Sequence, residues 1–202
     1  MFYSTHYNGC REGEIDTLNI LIKAWSLLDK VYFYCSRLEY VNQEAKNIFR
    51  VKLLTYRGRE LFLTNGTSIR TNDTLLKIHL HNCLLIGETM NMSNDTKRAL
   101  YVYKRVEESM PGLVDFIRNH PRKDDIKGII GITLLHRGVS RLGFEVKDIE
   151  NSHYRRAKQF YMKPLFLLFH LNKQHHRKKE NMVPKFLVMS KEQLLGKYLQ
   201  DA

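Results

Sequence analysis

The sequence predicts an α+β fold: a small antiparallel β-sheet, a meander over about residues 48–81 plus later strands, with several helices packed on it. Three patterns carry that prediction. An apolar stripe at three- and four-residue spacing runs from Leu18 to Cys35, period-two alternation broken by turn signals fills residues 48–81, and amphipathic segments of helical period come after it. The 202 residues suffice for one domain with a sizeable core.

In chain order, residues 1–14 mix Tyr, His, Gly, Cys and Arg without period and read as a flexible leader, with a single domain over 15–202. A helix is expected from Asp16, with Asp16 or Thr17 as cap. Its stripe of Leu18, Leu21, Ile22, Trp25, Leu28, Tyr32 and Cys35 should dock on the rest of the domain. Phe49, Val51 and Leu53 then alternate with Arg50, Lys52 and Leu54, as in a strand. Tyr56 to Arg59 turns the chain, Leu61 and Leu63 continue it, and Asn65-Gly66 is a type I′ hairpin signal. A turn at Thr71 to Asp73 leads into the strand Asp73 to Asn82.

A second helix is expected from Ser93 or Asp95, with Leu100, Tyr103, Val106, Met110, Leu113, Val114 and Ile117 on one side and Pro111 dividing it. Ile126 to Gly143 reads as a helix whose Gly128, Gly131 and Gly138 permit close approach. Gly143 would be its C-cap, with Phe144 folding back. On that helix Thr133, Arg137 and Arg141 recur at steps of four, with His136 and Ser140 alongside. Phe144 to Ile149 reads as a strand. From Ser152 comes a helix basic at His153, Arg155, Arg156 and Lys158, broken or kinked at Pro164. Lys173 to Lys179 is a charge run expected in an exposed loop, Phe186 to Met189 a short strand, and Ser190 the cap of a last helix, with Gln193 completing a capping box.

Charge narrows the partners. With 33 Lys and Arg against 21 Asp and Glu, the chain carries +12, which suits a phosphorylated small ligand, an anionic lipid surface or nucleic acid. The three cysteines, Cys10, Cys35 and Cys83, form no Cys-x-x-Cys pair and suggest neither a disulfide framework nor a thiolate zinc site. The early apolar segment Ile15 to Cys35 is interrupted by Asp16, Lys23, Asp29 and Lys30, so no transmembrane segment is expected. No secretory signal precedes it. The expected location is the cytoplasm, with the membrane periphery as the alternative.

Several segments resemble a known family. Asn47 to Val51, Tyr56 to Arg59, Lys77 to Asn82 (Lys-Ile-His-Leu-His-Asn), Gly131 to Gly138 (with Leu-Leu-His-Arg-Gly at its end) and Arg141 to Val146 look like the small bacillar YkoP-like family, over roughly residues 15–200. A similar unit is attached to polysaccharide deacetylase domains in some bacteria, and the resemblance implies an association with cell-envelope glycan metabolism. It carries no catalytic residues with it. A deacetylase centre holds its metal with a carboxylate and a His-x-x-x-His pair, and no two of the nine histidines are four apart.

Function is expected on the strand Asp73 to Asn82. Leu76, Ile78 and Leu80 point one way; Lys77, His79 and His81 point the other. A face bearing one Lys and two His suits an anion, a metal or water. If the register brings Arg50 and Lys52 to that face, the sheet has a basic side. Arg50, Lys77, His79, His81, Asn82, Thr133, His136, Arg137 and Arg141 are the candidate ligand-binding residues, the last four as the second half of a pocket. The leading expectation is a non-catalytic anion-binding or accessory protein of cell-envelope glycan or lipid-carrier metabolism. Its partners would be an anionic small molecule or lipid headgroup and envelope-glycan enzymes, with no cofactor. The alternative is a metal- or His-dependent enzyme acting on a phosphorylated or glycan substrate. His79, His81 and His136 are its catalytic candidates, and His79 and His81 could offer two imidazoles to an ion. Nucleic-acid binding ranks last, since no nucleic-acid module is present.

Overall fold

The computed structural model describes residues 8–90, 92, 94–134, 138–170 and 183–199. It falls into two compact units divided after Leu38. The first is built on helix α1, Asn8–Cys35, which starts inside the predicted leader rather than at Asp16. It ends in a Schellman turn: Arg37 takes the left-handed conformation (φ 51°), Leu38 N donates to Phe33 O at 3.2 Å and Arg37 N to Tyr34 O at 3.1 Å. Over its described side chains a single apolar stripe does not account for this helix, the side chains of Leu18, Leu21 and Ile22 lying outside the described ones. Trp25 and Tyr32 are half-buried, while Leu28 and Cys35 are exposed and a further apolar row, Ile20, Leu27, Val31 and Tyr34, is also exposed.

The second unit contains, in order, β1 (Glu39–Tyr40), β2 (Phe49–Thr55), β3 (Leu61–Phe62), β4 (Ser68–Ile69), β5 (Thr74–Leu80), α2 (Asn82–Thr89), α3 (Asp95–Asn119), β6 (Ile126–Thr133), a 3-10 turn at Val139–Leu142, β7 (Glu145–Asp148), α4 (Ser152–His170), β8 (Lys185–Ser190) and α5 (Lys191–Tyr198). Six strands form one mixed sheet in the order β1-β2-β5-β6-β8-β7, and β3 with β4 forms a separate hairpin. The chain is therefore not a continuous meander: β2 pairs directly with β5, and the hairpin between them folds away. Only β5 and β6 are parallel. A parallel pair needs a long crossover, and α2 with α3 supplies it.

The segment Ile126 to Gly143 is the largest departure from the sequence reading. It is a strand followed by a 3-10 turn, not a helix. Its continuous apolar run reflects burial on both sheet faces, a pattern that periodicity alone cannot distinguish from a buried helix. The β-branched residues Ile126, Ile129, Ile130, Ile132 and Thr133 favour the strand. Gly128 and Gly131 do serve close approach, but between strands, whereas Gly138 has open space around it and is instead left-handed at φ 83°. A Cβ on Gly128 would lie 2.5 Å from the Met189 carbonyl oxygen. Gly143 remains a cap, of the 3-10 turn, with φ 89° and its N–H on Ser140 O.

Smaller departures have local causes. Neither Pro111 nor Pro164 ends its helix. At the first, Asn47 Nδ2 donates to Ser109 O at 2.9 Å and Ile48 N to Ser109 Oγ at 3.3 Å, tying the helix to the chain entering β2. Leu100 is exposed, so the core face of α3 is its later part, Met110, Leu113, Val114 and Ile117. Asn65-Gly66 does form the hairpin turn, with Leu63 N on Thr67 O and Gly66 N on Leu63 O. Only Gly66 is left-handed, which makes it a type I turn with a glycine bulge rather than type I′. Ser190 Oγ accepts from Gln193 N, but Gln193 Oε1 has no partner among the described residues, so the capping box is half closed. The Lys173 to Lys179 run lies outside the described residues.

The two faces of the sheet differ in kind. Phe49, Val51, Leu76, Ile78, Ile129 and Met189 on one face pack against Met110, Leu113 and Val114 of α3, Leu194 and Tyr198 of α5, and Leu142 and Phe144. The other face is apolar only under the hairpin, where Leu75, Ile130 and Val188 meet Tyr56, Leu63 and Ile69.

Two glycines test the packing with opposite signs. Gly128→Ala should destabilise by about 1–3 kcal/mol, because the new methyl meets backbone that only a shift of β8 can move. Gly87→Ala, in α2 with open space around it, should stabilise by about 0.5–1 kcal/mol. Urea denaturation of both variants measures the difference.

Candidate functional site

The register of β2 on β5 builds the site. Arg50 stands opposite His79 and Lys52 opposite Lys77, so these four side chains share one face, while Phe49, Val51 and Leu53 stand opposite Leu80, Ile78 and Leu76 on the core face. This is the register in which the sheet has a basic side. Tyr40 of β1, opposite Arg50, joins it. Arg50 is only 4% exposed, with its guanidinium over the Tyr40 ring at 5.2 Å and Nη2 donating to Tyr40 Oη at 3.4 Å.

Helix α4 contributes a fifth member. Asn151 caps it, with Oδ1 accepting from Tyr154 N at 2.9 Å and its carbonyl from Arg155 N. Among its described side chains the less exposed positions are Arg155, Lys158, Gln159 and Met162, spaced as one helical face. Lys158 comes close enough to Lys77 and His79 to perturb both.

Electrostatics mark the cluster as unusual. Burial, then Lys158 and Lys52, lower the Lys77 ammonium to about 8. Burial and Lys52 also lower Lys158. Burial, then Lys77, Lys52, Lys158 and Arg50, push the His79 imidazole down to about 3, so it is neutral near neutral pH. The charges from described residues that shift these three groups are Lys52, Lys77, Lys158 and Arg50, all positive. Among the described residues no carboxylate pairs with the ammonium of Lys77 or Lys158, and both are half-buried.

Of the other half of the expected pocket, the two described residues, Thr133 and Arg141, do not reach this face. Thr133 ends β6 opposite Lys185, two steps of alternation from Ile129 and Gly131, and so belongs to the core face. Arg141 sits in the 3-10 turn beside Leu142, a member of the core cluster, and its carbonyl accepts from Lys197 Nζ of α5. Both residues therefore lie on the side of the sheet away from Lys77 and His79. The reason is the strand: without a helix over residues 126–143, steps of four no longer align Thr133 with Arg141. His136 and Arg137 lie outside the described residues. His81 has left the strand and immediately precedes α2, its N–H on Ile48 O and its ring edge-on to Tyr40 at 5.9 Å, while Asn82 opens the helix. His79 and His81 are thus not an alternating pair on one strand. Among the described residues no three His, Cys, Asp or Glu side chains group as metal ligands.

Ser140, expected beside His136 on a helix, instead borders an open groove of about 450 Å³ with Thr64, Gly143, Phe144, Glu145, Val146 and Gln193. Glu145 is its one charged residue and is engaged by Thr64 N and Oγ1. No side chain there is poised as a base for a serine nucleophile.

The model of the YkoP domain family matches residues 18–198. The chain belongs to the YkoP family. A curated relative, Uncharacterized protein YkoP of Bacillus subtilis (strain 168), is 43% identical over 147 residues, which are 73% of this chain and 80% of that protein. No solved structure matches. In this YkoP chain the resemblance read from Lys77 to Asn82 therefore falls on the basic face and its exit into α2. The segment Gly131 to Gly138 instead begins in the middle of the sheet on β6.

The basic face generates two pH responses. Native Lys77 releases its proton at a lower pH than the unfolded chain does, so its penalty is full below about 8 and vanishes as pH rises to 10.5. Lys77→Met should therefore stabilise the fold by about 1–2 kcal/mol near neutral pH, with the gain shrinking across that window. His79 acts at the acid end. As pH falls from 6.5 towards about 3 the unfolded chain takes up a proton that the native imidazole refuses, and stability drops by up to about 1.4 kcal/mol per pH unit. His79→Gln should flatten that acid slope in denaturation curves recorded across pH.

Proposed function

We propose that this protein binds a phosphorylated, anionic ligand on the β2–β5 face, acting as a non-catalytic binding or accessory protein of cell-envelope glycan or lipid-carrier metabolism. The observation that carries the reading is the pair of half-buried ammonium groups, Lys77 and Lys158, with no carboxylate partner among the described residues. Holding like charges together out of water is unfavourable. An anion between them removes the repulsion and supplies the missing hydrogen-bond acceptors. Arg50, Lys52 and the neutral His79 add donors on the same face.

The envelope part of the proposal is supported by the family resemblance, since similar units accompany polysaccharide deacetylase domains. It favours a phosphorylated sugar or a polyprenyl phosphate. The enzyme alternative is less well supported by this face: an imidazole held at about 3 is a weak base near neutral pH. Among the described residues no helix is long and apolar enough to cross a membrane, so a lipid-borne phosphate would be met at the bilayer surface.

Calorimetric titration with inorganic pyrophosphate, and flotation with vesicles carrying polyprenyl phosphate, test the site. Lys77→Met and Lys158→Met should each weaken binding by about tenfold or more, a change of ~1.4 kcal/mol. Arg141→Met, on the other side of the sheet, should leave it unchanged. Equal affinity of all variants, or no binding by wild type, would sink the proposal.

A further inference from the structure

Resting on that anion-binding reading, we propose that Lys77 is a reactive amine that condenses with the carbonyl group of a small anionic aldehyde or ketone, forming an imine while the neighbouring cations hold the anionic end. Lys77 is central in β5, half-buried, and faced by Lys52 from β2, by Lys158 from α4 and by apolar Ile130 from β6, with His79 two residues along its own strand. Among the described residues no hydrogen bond or ion pair engages its ammonium, so nothing there has to be broken before it reacts.

An exposed lysine is a poor nucleophile near neutral pH because nearly all of it is protonated. Desolvation and an adjacent cation are the two recognised ways to release the free amine. Both act here, and they lower Lys77 to about 8. Burial is the larger cause, so the effect survives when a bound anion neutralises Lys52 and Lys158. Those two residues then serve two ends, raising the share of neutral amine and positioning the substrate. A ligand with a phosphate or carboxylate at one end and a carbonyl a few bonds away suits this arrangement.

The step balances without an oxidant or reductant. The neutral Nζ adds to the carbonyl carbon, the C=O π pair moves to oxygen, and a proton passes from nitrogen to that oxygen to give a carbinolamine. A second proton on the hydroxyl lets it leave as water, and the nitrogen lone pair closes the C=N bond. In sum, an ammonium and a carbonyl become an iminium and one water. Solvent water carries these protons, since His79 on the same face, held at about 3, is too weak a base to do so near neutral pH.

The experiment treats the full chain with glycolaldehyde phosphate, glyoxylate or uncharged propanal, traps any imine with borohydride, and locates the adduct by peptide mass spectrometry. Pyrophosphate titration is run in parallel. The expected result is one dominant adduct on Lys77, formed about tenfold faster with the anionic aldehydes than with propanal, and increasing in rate as pH rises through about 8. Lys77→Arg should abolish that adduct, and Lys158→Met should slow it and shift its pH dependence upward. Preference between glycolaldehyde phosphate and glyoxylate identifies the anionic group. Pyrophosphate binding with no Lys77 adduct, or labelling spread over lysines by exposure, overturns the imine and leaves the anion site standing. A Lys77 adduct formed equally fast by propanal, without pyrophosphate binding, overturns the anion site and leaves the reactive lysine.

Discussion

The structure depends on the register between β2 and β5. Antiparallel pairing places opposed residues on one face, so matching Val51 with Ile78 and Leu53 with Leu76 necessarily matches Arg50 with His79 and Lys52 with Lys77. A slip of β2 by one residue would turn Phe49, Val51 and Leu53 away from α3 and α5 and bring Arg50 and Lys52 into the core. The hydrophobic effect on one face thus determines the charge pattern on the other. The basic cluster is held together by the packing behind it.

The remaining elements reflect one face that must be dry and another that need not be. Buried methionine, leucine, valine and isoleucine of α3 and α5 cover the first face. On the second, the β3–β4 hairpin covers only the apolar end, tied down by Asn65 Nδ2 on Ser190 Oγ at 2.8 Å and by Thr64 on Glu145. Beyond the hairpin's edge the face is basic, and among the described side chains of α4 the less exposed ones include Lys158 and Arg155. A covering helix that presents a cation to cations lowers stability unless something anionic is recruited. That imbalance, rather than the chain's overall +12, localises the proposed chemistry.

Much of this was legible in the sequence. Strict alternation made the β2 and β5 faces readable, and caps such as Ser190 and Gly143 lay where their chemistry required. The largest misreading, that of β6, has one cause. Gly128, Gly131 and the isoleucines between them form a run without polar alternation, because β6 lies mid-sheet and is covered on both faces, so periodicity did not separate strand from helix and only the β-branched residues favoured the strand. Placing a helix there aligned Thr133 with Arg141 and produced a pocket wall that a strand and a 3-10 turn put behind the sheet. α2 was likewise missed, as its eight residues are too few for a periodic signal to stand out.

By itself the sequence determined the α+β class, the membership of the YkoP family and the sidedness of its key strand, since these rest on local periodicity and on residue identities in short segments. Only the tertiary structure decided that β2 rather than β4 is the partner of β5, that Thr133 and Arg141 lie away from Lys77, and that Lys158 arrives from a helix more than seventy residues further on. Strand pairing and helix docking are choices among apolar surfaces of similar hydrophobicity. They are settled by the fit of the whole core, which no stretch of the chain contains.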